Sequence, residues 1–205
     1  MTKKILILSG SPRHGGNSDT LCDQFLKGAS EAGNEVEKYF ISAHNIGYCS
    51  ACYYCSSHDG VCCKKDDMNA LMPKILEADV LVFASPVYMY SISAQLKAVF
   101  DRMVAKYETI RDKELYYIMT AAEDEEHTMD TAIACMRGMA DCIPGSKEMG
   151  MICAKGVYQK GEVLDTLYMQ QAYEMGKNVD TPFSGCSLQN EEDGTIQLGL
   201  DSCGD

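Results

Sequence analysis

The segment from Tyr48 to Cys63 reads YCSACYYCSSHDGVCC, and its sulfurs are the groups of this chain best suited to metal or redox chemistry. Cys49, Cys52, Cys55 and Cys62 fall at C-x2-C-x2-C-x6-C, with Cys63 directly after. Three thiolates on a tight C-x2-C-x2-C loop can reach three corners of an iron–sulfur cluster, and a fourth can close it. Zinc sites more usually split into two C-x2-C pairs. Free or oxidisable thiols are the third reading, and the spacing leaves all three open. His44 and His58 flank the segment as substitute ligands. Cys22, Cys135, Cys142 and Cys153 fall at helix or strand positions and read as small core residues.

Two further loops carry polar or aromatic groups. Ser9–Ser18, SGSPRHGGNS, lies between an apolar run and an amphipathic one. The hydroxyls of Ser9, Ser11 and Ser18, the Asn17 amide and the first helical N–H groups can surround a phosphate, and Arg13 adds a positive charge. The stretch matches neither G-x-G-x-x-G nor G-x4-G-K-[ST], so a terminal monophosphate fits better than a dinucleotide or triphosphate. The alternative is a Gly/Ser/Pro turn that only connects two elements. Ser85–Ser91, SPVYMYS, follows the most apolar run; Pro86 ends that run, and Tyr88, Met89 and Tyr90 suit a flat heteroaromatic ring, the alternative being that they only cap the core.

Around these loops, short apolar runs alternate with amphipathic stretches. Strands are predicted at Lys3–Leu8, Glu35–Ile41, Asp79–Ala84, Glu114–Thr120 and Glu148–Cys153. Helices are predicted at Ser18–Ala32, from Asp66 or Asp67 to Ala78, and at Ser93–Lys106, Glu125–Cys142 and Glu162–Met175, the last ended by Gly176. The acidic run Glu123–His127 reads as the solvated start of the fourth helix. Residues 1–180 form one domain in this reading and 181–205 a tail. Such alternation implies an α/β fold, a parallel sheet with helices on both faces, with ligands bound beyond the carboxyl ends of the strands.

Composition sets outer limits. The 205 residues are 46% hydrophobic with a net charge of −12, so a globular chain with no basic stripe for nucleic acid is expected. The apolar run Ile5–Leu8 is too short for a signal peptide, and no stretch reaches the length of a membrane span, so a cytoplasmic protein is expected. In that compartment 11 cysteines point to metal ligation, redox chemistry or core filling rather than disulfides.

SGSPRHGGNS, the DDM at Asp66–Met68 and ASPVYMYSISAQLKAVFDR at Ala84–Arg102 together resemble the flavodoxin-like NAD(P)H-dependent FMN reductase family. The cysteine segment is similar to that of the iron-sulfur flavoproteins. The resemblance implies a flavodoxin-like three-layer sandwich with a five-stranded sheet of order 2-1-3-4-5, and one FMN per chain. It implies the phosphate on Ser9, Ser11, Arg13, Asn17 and Ser18. The ring would lie against Pro86, Val87, Tyr88, Met89, Tyr90 and Ser91, with Thr120, Ala121, Ala122 and Glu123 on its far side. Lys97, Asp101 and Arg102 match the family pattern and read as structural. A [4Fe–4S] cluster on Cys49, Cys52, Cys55 and Cys62 is implied as a second centre. NAD(P)H or a ferredoxin-like protein would donate electrons, and a small molecule or protein would accept them. A homodimer or homotetramer is implied, shaped in part by Tyr53, Tyr54, Tyr88 and Tyr90. The competing reading is an electron carrier that relays through cluster and flavin. A phosphate-receiving signalling domain is disfavoured, because the first strand ends Leu8–Ser9–Gly10 without the acidic residues it needs.

Overall fold

Strict alternation along the central strands decides the layers. In β1 (Lys4–Ser9), Ile5 and Ile7 face one side while Leu6 and Leu8 face the other, and all four are buried. The same division runs through β3 (Val80–Pro86) and β4 (Glu114–Thr120). One apolar layer lies under α2 (Met68–Glu77), α3 (Ala94–Met103) and α4 (Asp130–Ala140). The other lies under α1 (Asn17–Glu31) and α5 (Leu167–Lys177). The computed structural model describes residues 2–184.

The sheet is parallel throughout, and its order is β2-β1-β3-β4-β5 with a two-residue β6 at the edge. Here β2 is Glu35–Phe40, β5 is Lys147–Ala154 and β6 is Phe183–Ser184. Five strands in the order 2-1-3-4-5 form the flavodoxin-like doubly wound fold, as expected. The sixth strand starts just beyond the expected domain boundary at 180. Cys186, Cys203 and the rest of the expected tail from 185 on lie outside the described residues. No helix among the described residues is long and apolar enough to cross a membrane.

Two helix expectations need correction. Glu123–His127 does not open a helix: Lys155 Nζ donates to the Glu125 and Glu126 carbonyls, at 2.8 Å each, and holds the run as a loop. α4 begins only at Asp130. The last expected helix breaks at Thr166, which is extended, between a 3-10 turn at Glu162–Asp165 and α5. Gly176 does not end α5 but lies inside it, against α1. A Cβ there would stand 2.1 Å from the Phe25 carbonyl, and one on Gly28 would stand 2.1 Å from that of Tyr173. The two glycines let the helix backbones touch. Gly176→Ala should therefore lower stability by about 3 kcal/mol, read as a fall in the urea midpoint; an unchanged midpoint would mean the helices slide apart at little cost.

Of the cysteines expected in the core, Cys22 and Cys153 are buried and Cys135 is half-buried. Cys142 lies beyond the end of α4, where no core layer covers it, and is exposed.

Candidate functional site

The loops after β1, β3 and β4 meet at one sheet edge, as parallel topology requires. A chain of short hydrogen bonds locks them together. The Ser93 amide donates to Ser85 Oγ (2.8 Å), and Ser93 Oγ donates to the Gly10 carbonyl (2.7 Å). The Ser93 hydroxyl also accepts from the Leu96 amide and so caps α3. Gly10 is required there, since a Cβ would come within 2.8 Å of the Ala84 carbonyl and of Leu96. Val87 N donates to the Thr120 carbonyl (2.7 Å), joining the second loop to the third.

Between these loops lies a pocket of about 110 Å³. Of the expected residues, Ser11, Arg13, Asn17, Ser18, Pro86, Val87, Tyr88, Thr120 and Ala122 border it, joined by Gly16, Val157, Tyr158 and Lys160. α1 starts at this pocket with Gly16 in the N-cap position and no side-chain cap. The amides of its first turn therefore lack intrahelical acceptors and, with the exposed Arg13, suit an anion. The pocket is well under the roughly 300–1,000 Å³ of a whole-ligand site. Its size is that of a small polar group rather than a whole ligand.

The side chains of two expected phosphate residues have partners within the protein. Ser9 Oγ donates to Asp19 Oδ1 (2.8 Å) beneath the loop. Asn17 Nδ2 donates to the Gln159 carbonyl (2.9 Å), and its Oδ1 accepts from Gly161 N (3.1 Å), so this side chain holds the loop after β5. Lys160 of that loop donates to the His14 carbonyl (3.0 Å). Asp19, Ser93 and Lys160 were absent from the expected site. The first two are buried supports, and no local pattern marks them.

The aromatic loop is a tight hairpin. Tyr88 and Ser91 exchange both backbone hydrogen bonds, at 2.9 and 3.0 Å, and Met89 and Tyr90 between them have φ of 50° and 61°. Two-residue hairpins of this hand favour Asn and Gly, so two bulky residues here are strained. Tyr90 Oη donates to Glu123 Oε2 (3.1 Å), which holds the phenol proton more tightly than usual. Met89, Tyr90, Ser91, Ala121 and Glu123 stand outside the small pocket. Met89 is 95% exposed. Met89→Asn should raise stability by about 0.5–1 kcal/mol, seen as a higher urea midpoint; a lower one would mean the methionine makes contacts that outweigh the strain.

The cysteine loop stands apart from this pocket. Cys49, Cys52, Cys55 and Cys62 border one cavity of about 860 Å³, floored by Phe100, Met103, Met139 and Ile143, while Cys63 does not border it. Among the described residues no three His, Cys, Asp or Glu side chains come close enough to hold a metal ion. The four thiols are the donor set an iron–sulfur cluster takes, and as folded they line one cavity without gathering around a single point. Cys52 Sγ lies 3.6 Å from Cys63 Sγ instead. His44 stacks on Tyr39 and His58 on Tyr54, with ring centroids 4.0 and 3.6 Å apart. The base of the loop is bound by Arg102, whose guanidinium reaches both Asp66 and the Gly47 carbonyl.

Residues 3–139 match the family described as NADPH-dependent FMN reductase. An iron-sulfur flavoprotein of Archaeoglobus fulgidus is 41% identical over 101 residues, which is 49% of this chain and 46% of that protein. One from Methanosarcina thermophila is 43% identical over 101 residues, 49% of this chain and 52% of its own. The match thus spans about half the length of these relatives. Among solved structures, an NAD(P)H:quinone oxidoreductase from Methanothermobacter marburgensis superposes with a TM-score of 0.70 at 18% identity, covering 88% of this chain and 97% of its own.

Proposed function

The chain belongs to the NADPH-dependent FMN reductase family, and from that membership we propose that it is an FMN-dependent oxidoreductase using NAD(P)H as donor. One observation carries the reading: an uncapped helix N-terminus opens a phosphate-sized pocket where the β1, β3 and β4 loops converge. Ser11, Ser18, Arg13 and the first amides of α1 would hold the FMN phosphate. Pro86 to Tyr88, Thr120 and Ala122 would line the way to its ring. Bound FMN would supply the hydride and electron chemistry. Ser9 and Asn17 would act one step back, fixing the phosphate loop and the Gln159 segment. A small molecule or a protein would accept the electrons. Tyr53, Tyr54, Tyr88 and Tyr90 are exposed at 78, 39, 42 and 54%, which favours their burial in a homodimer or homotetramer. We place the protein in the cytoplasm, whose reducing poise disfavours permanent structural disulfides.

The second reading is an iron-sulfur flavoprotein fed by a ferredoxin-like donor. It is favoured by the four cysteines sharing one cavity, and it requires the loop to rearrange.

The test is anaerobic reconstitution of the full chain with FMN, followed by fluorescence titration and NAD(P)H oxidation. One FMN per chain with rapid NAD(P)H oxidation is the expected result. FMN bound without such oxidation, together with about four irons per chain, would replace the first reading with the second. No FMN bound would overturn both.

A further inference from the structure

Cys63 is the cysteine that the four-cysteine spacing leaves over, and the fold gives it a partner. The chain turns back through a 3-10 helix at Tyr54–Ser57. Hydrogen bonds from His58 N and Gly60 N to the Cys55 carbonyl (3.2 and 3.0 Å) and from Val61 N to the His58 carbonyl (2.8 Å) close the turn. Gly60 is needed at its tip: φ is 72°, and a Cβ would meet the Ala105 carbonyl at 2.3 Å. The turn returns Cys63 to Cys52, with the sulfurs 3.6 Å apart and both residues exposed. Cys49 Sγ instead accepts from the Ala51 amide at 3.4 Å.

We propose that Cys52 and Cys63 are a reversible dithiol–disulfide pair that closes the cysteine loop on itself. A disulfide needs sulfurs about 2.0 Å apart, and two exposed side chains can close the remaining gap by rotation. The oxidant is a low-molecular-weight disulfide. The Cys52 thiolate attacks one of its sulfurs, breaking that S–S bond and releasing one thiolate. The Cys63 sulfur then attacks Cys52 Sγ, expelling the second thiolate and forming the internal bond. Two electrons pass from the protein to the small disulfide, and the two cysteine protons end on the two released thiols. Cys52 is the middle member of the Cys49–Cys52–Cys55 triplet, so this disulfide and metal ligation by the triplet exclude each other. The inference holds whether or not the chain binds FMN.

The test uses the full chain, reduced and kept metal-free with a chelator, then exposed to oxidised glutathione. Free thiols are alkylated, and a non-reduced digest is read by mass spectrometry. The expected result is loss of two of the 11 thiols, a Cys52–Cys63 cross-linked peptide and recovery on adding dithiothreitol. Cys63→Ser should retain glutathione on Cys52 with no cross-link, whereas Cys62→Ser should still cross-link. A bond from Cys52 to any other cysteine, or stable glutathione adducts on the unaltered chain with no Cys52–Cys63 link, would overturn the proposal.

Discussion

Arg102→Ala should lower the stability of the chain by about 3–5 kcal/mol and free the segment between Gly47 and Asp66. The Arg102 side chain is 2% exposed and that of Asp66 8%. Nη1 lies 2.6 Å from Asp66 Oδ2 and Nη2 3.0 Å from Oδ1, while Nη1 also reaches the Gly47 carbonyl at 2.8 Å. The Gly47 amide returns to Asp66 at 3.0 Å. One guanidinium thus holds both ends of the cysteine loop. Its removal leaves a buried carboxylate with no countercharge, which costs more than the lost contacts alone.

The Arg102 hydrogen bonds hold the Asp66 pKa below its ordinary 3.8, against the opposing effect of burial. A depressed folded pKa means the stabilisation is present above about pH 4 and is lost as pH falls through the folded value. Urea unfolding of the variant should therefore lose part of its acid dependence, and limited proteolysis should cut within residues 48–65. Asp66→Leu combined with Arg102→Met should recover only part of the loss, since it removes the uncompensated carboxylate but leaves the Gly47 amide and carbonyl without these partners. A single-variant loss under about 1 kcal/mol would place this pair with ordinary surface ion pairs.

Asp19→Ala should weaken FMN binding at least tenfold and cost about 3 kcal/mol of stability. The Asp19 side chain is 1% exposed. It accepts from Ser9 Oγ (2.8 Å) and from Gly15 N (2.8 Å), and Lys38 Nζ of β2 lies 3.1 Å away. These bonds tie the end of β1, the middle of the loop after it and the neighbouring strand to one carboxylate. Burial works against that charge, but the Gly15 amide, the Ser9 hydroxyl and Lys38 outweigh it and keep the pKa below its ordinary 3.8. The stabilisation is accordingly present at neutral pH and is lost as pH falls through the lowered value. Asp19→Asn keeps the shape without the charge and should fall between the alanine variant and the unaltered protein. An FMN affinity within twofold of the original, measured by flavin fluorescence, would show that the loop keeps its form without Asp19.

The sheet was legible because each strand carries its own signal: β3 and β4 are apolar on both faces, as strands covered on both sides must be. The meeting of loops at the carboxyl edge then follows from parallel topology, while the order 2-1-3-4-5 came from the family resemblance and stands in the structure. That Ser11, Arg13 and Pro86 would border a pocket there was legible for the same reason, since each lies at or just after a strand end. The helix limits were less so. Lys155 binds carbonyls 30 and 29 positions earlier, and no local reading of Glu123–His127 contains that lysine.

By itself, the amino-acid sequence determined the layers, the strand ends and the types of group gathered at them, because periodicity records which face of an element is buried. Only the tertiary structure decided what those groups do. It gave Ser9 and Asn17 partners within the protein, in Asp19 and the Gln159 carbonyl, made Arg102 the clasp of the cysteine loop, and brought Cys63 beside Cys52. Each of these is a pairing between residues 10 to 142 positions apart, and hydrogen bonds and ion pairs are selected by distance and direction in space, which spacing along a chain does not encode.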